Sequence, residues 1–129
     1  MKLAIQTTQT ISTDDLEIYC GEQPLVFEAV GNISGPLHSD LLAWNEAGRP
    51  AAGTVALVPR LFFSVSQNGD SYPLTSQAEA EALHEAVGDS LLADIVEEFW
   101  NYRYRFFKRK RIASANSQPA SENGSSPAS

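Results

Sequence analysis

The rhythm of apolar and polar positions changes near residue 75. Before it, short β-branched and aromatic runs alternate with turn formers. After it, Ala, Glu, Leu and aromatics recur at helical spacing, with no proline up to Ile112. Residues 2–11 alternate loosely and predict a strand. Residues 16–20 and 25–30 read as two further β-like runs joined through Gly21-Glu22-Gln23-Pro24, a turn composition. Residues 40–46 fit a short helix, with Ser39 as cap, Gly48 as stop and Pro50 beyond it. Residues 54–58 and 61–66 read as strands broken by Pro59, which suits an edge strand or a bulge. Asn68-Gly69 predicts a tight hairpin into residues 71–74.

The helical half is more sharply marked. Ser76-Gln77-Ala78-Glu79 has the form of a capping box, in which Ser accepts from the third backbone amide and Glu reaches back to the cap. A helix over 78–87 follows, with Gly88 as its end. Asp89 then caps a second helix running from Ser90 to about Ile112. Leu91, Leu92, Ile95, Val96, Phe99, Tyr102 and Phe106 form its apolar strip. Trp100, Tyr104 and Phe107 fall outside that strip, so the second half of this helix carries more aromatic surface than one core-facing side needs. Residues 113–129 contain six serines and two prolines, and no aromatic or branched aliphatic residue. Such a segment has too little to bury to offset chain entropy, and it predicts a disordered tail. The expected architecture is therefore α+β: a small antiparallel sheet packed against C-terminal helices. It forms a single domain over 1–112, helical over 75–112, followed by the disordered C-terminal tail over 113–129.

Charge alters this picture. The chain carries 9 Lys/Arg against 16 Asp/Glu, a net charge of −7. Up to residue 102 there are only Lys2, Arg49 and Arg60 against 15 acids, whereas Arg103, Arg105, Lys108, Arg109, Lys110 and Arg111 follow within ten residues. The acidic part should repel nucleic acid and membrane surfaces, and the basic segment could attract them. Within the long helix, Asp94, Glu97 and Glu98 stand in the first half and the cations in the second. Like charges therefore face each other at Asp94/Glu98 and Arg105/Arg109. An antiparallel neighbour, or an acidic surface of another copy, would relieve both blocks, which predicts a homo-oligomer.

The 129 residues suit one domain, and the 43% apolar share supports a packed core. No run approaches a membrane span, and residues 1–8 turn polar before a secretory apolar region could form. A lone cysteine excludes an intrachain disulfide framework and a multi-cysteine zinc site. Cys20 would need His38 or His84 as a base to act as a nucleophile. Its setting on an apolar run suits a small buried hydrophobe better. Ser34, His38 and Asp40 have triad residue types but crowd into seven residues of a loop, where such sites are not assembled. His84-Glu85 lacks the second histidine of a zinc helix motif. Glu79, Glu81, Glu85, Asp89 and Asp94 read as a solvated helix face rather than metal ligands. Asn32 and Asn123 head glycosylation patterns that require a secretory route. No phosphate loop or dinucleotide fingerprint is present. These residues imply no enzyme, no cofactor and no metal.

The strongest feature is the stretch from Phe99 to Arg111, where aromatics interleave with cations. Phe99, Trp100, Tyr102, Arg103, Arg105, Phe106, Lys108 and Arg109 are the candidate partner-binding residues, since Trp, Tyr and Arg are the usual anchors of protein interfaces. The same interleaving could stack on bases and engage phosphates. The acidic remainder of the chain argues against nucleic acid.

The acidic domain, the helix Leu91-Leu92-Ala93-Asp94-Ile95-Val96-Glu97-Glu98-Phe99-Trp100 entering aromatic-basic residues, and the segment 115–127 rich in Ser, Pro, Asn and Gly resemble the tail assembly chaperones of long-tailed bacteriophages. The resemblance covers mainly residues 75–129 and is compositional. It implies a non-enzymatic protein of the host bacterial cytoplasm. Such a protein coats the tape measure protein and keeps it soluble during tail assembly, and a frameshifted longer form recruits the tail tube protein. It implies no catalytic residue and no membrane. The rival readings are a nucleic-acid-binding accessory protein using the basic aromatic helix end, and a structural tail or connector subunit.

Overall fold

The computed structural model describes residues 8–115, with side chains described for residues 8–102. The protein is α+β, a four-stranded antiparallel sheet packed against helices. The strands β1 (Thr8–Ser12), β2 (Val26–Val30), β3 (Phe62–Gln67) and β4 (Asp70–Pro73) lie side by side in chain order. Helices α1 (Gly35–Glu46) and α2 (Ala51–Leu61) are inserted between β2 and β3, while α3 (Gln77–Val87) and α4 (Asp89–Ala115) follow the sheet. The chain divides into two units between Phe99 and Trp100, within α4. The sheet, α1–α3 and the first part of α4 belong to the first unit.

Period-two alternation gives the sheet one apolar and one polar face. Ile11 pairs with Phe27, Phe27 with Val65 and Val65 with Tyr72, which makes one cross-strand row on the core face. Ala29 and Phe62 lie on that face too, and the ring centroids of Phe27 and Phe62 are 4.6 Å apart. On the other face Thr10, Glu28, Ser64 and Pro73 pair across the strands, and the Thr10 hydroxyl donates to the Glu28 carboxylate. The register shifts where Phe62 pairs Ala29 and Ser64 pairs Glu28, leaving Phe63 as the extra residue of a bulge.

Several expectations for the first half are corrected. Of the strand expected over 2–11, residues 2–7 lie outside the described residues, and β1 continues to Ser12. Residues 16–20 are not a strand but part of the long connection between β1 and β2. Buried Thr13 organises that connection. Its amide donates to the Leu25 carbonyl, its carbonyl accepts from Ile18, and its hydroxyl accepts from the Leu25 amide. The helix expected over 40–46 begins earlier, because Ser34 rather than Ser39 is the cap and its hydroxyl accepts from the Leu37 amide. Pro36 in the first turn fits the start of a helix, where the lost N–H has no partner to miss.

The largest correction is α2. Residues 54–58 are helical, and Pro59 sits inside the helix near its end. Thr54, Val55, Leu57, Val58 and Leu61 are buried, a spacing of three and four residues. Pro59 there removes one backbone bond from a helix that stops two residues later. Strand β3 then begins at Phe62 with no intervening loop.

The later elements follow their sequence signals. Asn68-Gly69 turns β3 into β4, with both residues at positive φ. The Ser76 capping box is present in full, and Gly88 at φ 91° ends α3. In α4, Leu92, Ala93, Ile95, Val96 and Phe99 are buried, while Leu91 is half-buried. The helix continues through Ala115, so residues 113–115 are helical rather than the start of a tail, and residues 116–129 lie outside the described residues.

Candidate partner-binding surfaces

A compact cluster at the end of α1 holds the first part of α4. Helix α1 ends in a turn with Gly48 and Arg49 at positive φ, and the Arg49 amide donates to the Trp44 carbonyl. That turn aims the Arg49 guanidinium at α4, where it meets Asp94 at 2.8 Å and Glu97 at 2.6 Å. The hydrogen bond to Asp94 raises the Arg49 pKa, desolvation opposes the rise, and Glu97 adds to it. The guanidinium also lies 6.0 Å from the Trp44 ring centroid, within reach of a cation–π attraction. Beneath it, buried Trp44 donates from Nε1 to Thr54 Oγ1 at 2.9 Å, and that hydroxyl donates to the Pro50 carbonyl. Asp94 and Glu97 of α4 are thus paired within the chain, so these two acids have a counterpart without another copy.

The candidate binding residues separate accordingly. Phe99 is a core residue, 0% exposed, with its ring centroid 5.2 Å from Phe62, so its assignment to a partner surface is corrected. Trp100 and Tyr102 are half-buried on α4. Arg103, Arg105, Phe106, Lys108 and Arg109 follow on the same helix, but their side chains lie outside the described ones.

Several of the side chains weighed for chemistry have structural employment. Ser34 caps α1, and Asp40 pairs with Arg60 at 2.6 Å. Glu79 completes the capping box, and His84 contacts Asp89 at 2.9 Å. Cys20 is half-buried, with Sγ 3.2 Å from the Thr13 hydroxyl and donating to the Gln23 carbonyl. Among the described residues no group of three or more His, Cys, Asp or Glu side chains could hold a metal ion. No helix among them is long and apolar enough to cross a membrane.

A second surface was not anticipated. Two adjoining cavities, of about 430 and 400 Å³, lie between strands β3–β4 and α3 and share Val65, Tyr72, Leu83 and Ala86. One extends towards Leu74 and Ala82, the other towards Cys20 and Leu91. Together they form one apolar groove in the first unit. Tyr72 is 57% exposed, although it continues the row whose members Ile11, Phe27 and Val65 are buried. The sequence signal for the groove is modest. Ala82 and Ala86, four residues apart on α3, are too small to fill the space above an edge strand.

Comparison with protein-family models, with curated proteins and with solved structures finds no match to this chain. What the chain can bind must therefore be argued from its own surfaces.

Proposed function

We propose that this chain is a non-enzymatic tail assembly chaperone of a long-tailed bacteriophage, binding the tape measure protein and keeping it soluble in the host cytoplasm. The tail tube protein is the second partner. The reading starts from the compositional resemblance of residues 75–129. The observation that carries it further is α4: its first part is fixed by five buried residues and by Arg49, and the same helix continues into the aromatic-basic sequence. A helix anchored at one end can offer its other end to a partner without losing its own order, which lowers the entropy cost of binding. Trp100, Tyr102, Arg103 and Arg105 are of the types that dominate interface energetics. The strongly acidic first unit would keep a complex with an apolar partner dispersed.

Co-expression with the tape measure protein tests the reading. The tape measure protein should stay soluble and co-purify with this chain. A combined Trp100→Ala and Tyr102→Ala variant should weaken that capture about tenfold or more. A tape measure protein that remains insoluble beside the intact chain would refute the reading, as would this chain's presence as a stoichiometric component of purified virions.

A further inference from the structure

We infer that the apolar groove between β4 and α3 is a docking site for the basic-aromatic segment, residues 102–111, of a second copy of this chain. The groove and the segment are complementary in both apolar content and charge. The groove is lined mostly by apolar side chains, with Ser66 and Gln67 at one end, and among the described residues its charged lining residue is Glu79, whose carboxylate also serves the α3 capping box. Asp70 stands two residues before Tyr72 on β4 and so shares its face of the strand. Glu22 lies in the β1–β2 connection beside Gln23, whose carbonyl accepts from Gln67 of the groove wall. Glu85 and Asp89 lie exposed at the far end of α3 and the start of α4.

Asp89 is met by His84 at 2.9 Å, and among the described residues no Lys or Arg pairs with these acids. Between residues 8 and 102 the Lys/Arg side chains are Arg49 and Arg60, and both are committed elsewhere, to Asp94 and Glu97 and to Asp40. Residues 102–111 supply what the groove lacks: Tyr102, Tyr104, Phe106 and Phe107 to fill apolar space, and six cations for the acidic rim. Because Arg49 already satisfies Asp94 and Glu97, the acid block of α4 is a poor counterpart for that segment. The groove rim is the better one. The apolar contact would supply most of the affinity and the charges would set register and encounter rate.

This inference does not rest on the tail-assembly reading, and its test involves no phage partner, so the two can fail separately. A photo-crosslinking benzophenone amino acid is placed at position 106 of the full chain, and isotopically light and heavy copies are mixed before irradiation. Mass spectrometry should find mixed light–heavy cross-links ending within the groove's lining segments, residues 20–25, 65–74 and 79–91. Ala86→Arg puts bulk and a like charge into the groove from an exposed helix position. It should raise the dissociation constant of self-association about tenfold or more in sedimentation experiments. Leu42→Arg, the same charge change on α1, should leave it within about twofold of the wild-type value. Should Ala86→Arg lower the melting temperature, Tyr72→Ser removes the exposed ring instead and should weaken association similarly. A strict monomer at about 100 µM in low salt overturns the inference. So do cross-links confined to single chains or ending outside those lining segments, or equal effects of Ala86→Arg and Leu42→Arg.

Discussion

Trp44 is where local and distant requirements of this chain meet. Its indole nitrogen is satisfied by Thr54, its ring faces Arg49, and its edge lies against Gly53 so closely that a Cβ there would be 2.9 Å from Cδ1. Gly53 sits in helix α2, where alanine would ordinarily stabilise by about 1 kcal/mol. Here the ring would have to move in a packed core, and overpacking of that kind costs about 1–3 kcal/mol. Gly53→Ala should therefore lower the melting temperature despite its better helix propensity. Thr54→Val keeps the shape but leaves a buried N–H without its partner, a loss of about 1–3 kcal/mol. Thermal melts of the two variants check both signs.

At the scale of elements, α4 is held by contacts of two kinds. Phe99→Ala removes the ring packed at a tilt against Phe62 and should cost about 3–5 kcal/mol of stability, the range for emptying an aromatic core site. Arg49→Met breaks the pair of ion contacts to Asp94 and Glu97. These groups are partly exposed, so the loss should be about 1 kcal/mol. The raised Arg49 pKa fixes the sign of its pH dependence. The charged form is favoured in the folded state, so its contribution is complete below the ordinary arginine value and fades only as pH rises beyond it. The difference between Arg49→Met and the native chain should thus contain no arginine titration between about pH 6 and 9, which paired melts would reveal.

The same elements explain what could be read from sequence. Helix α3, capped and glycine-stopped, declared itself because its signals are local chemistry, whereas Asp89, read as the cap of α4, is its first helical residue and its carboxylate meets His84. The Asn68-Gly69 hairpin declared itself too. Helix α2 did not, because Val55, Leu57 and Val58 in a short apolar run fit strand and helix alike, and Pro59 looked like a break rather than a tolerated last-turn residue. The Arg49 clamp was illegible for another reason. It joins residues 45 and 48 positions apart, a distance no local pattern encodes. The groove was hidden similarly, since it arises between a strand and a helix and is marked in sequence only by two alanines. The segment 102–111 was plain from composition, yet composition could not say that Phe99, at its edge, belongs to the core.

For the whole molecule, the segregation of charge sets how copies should meet. Up to residue 102 the chain carries fifteen acids, and the six cations that follow stand close together. Encounter between the groove and a second copy's basic segment is steered by this asymmetry. The Debye length shortens from about 10 Å at 0.1 M salt to about 3 Å at 1 M. Association should therefore slow as salt rises, while dissociation, governed by the apolar contact, changes less. Stopped-flow light scattering at several salt concentrations separates the two rates, and an association rate indifferent to salt would count against the groove as the counterpart.

The Phe27–Phe62–Phe99 cluster has a consequence for how the protein comes to exist. Its three rings are supplied by β2, β3 and α4, so the residue that closes the core is among the last of the first unit to be synthesised. Until α4 emerges from the ribosome, the apolar face of the sheet is covered only in part, by α2 against β2 and β3, and exposed surface of that kind invites misassembly. A chain ending at Gly88 should accordingly lack a cooperative thermal transition and bind hydrophobic dyes, behaving as a collapsed but unpacked intermediate. Synthesis then delivers the closing helix and the basic segment almost together. The cations appear only as the core is being sealed, which leaves little time for them to pair with the acidic chain before it has folded.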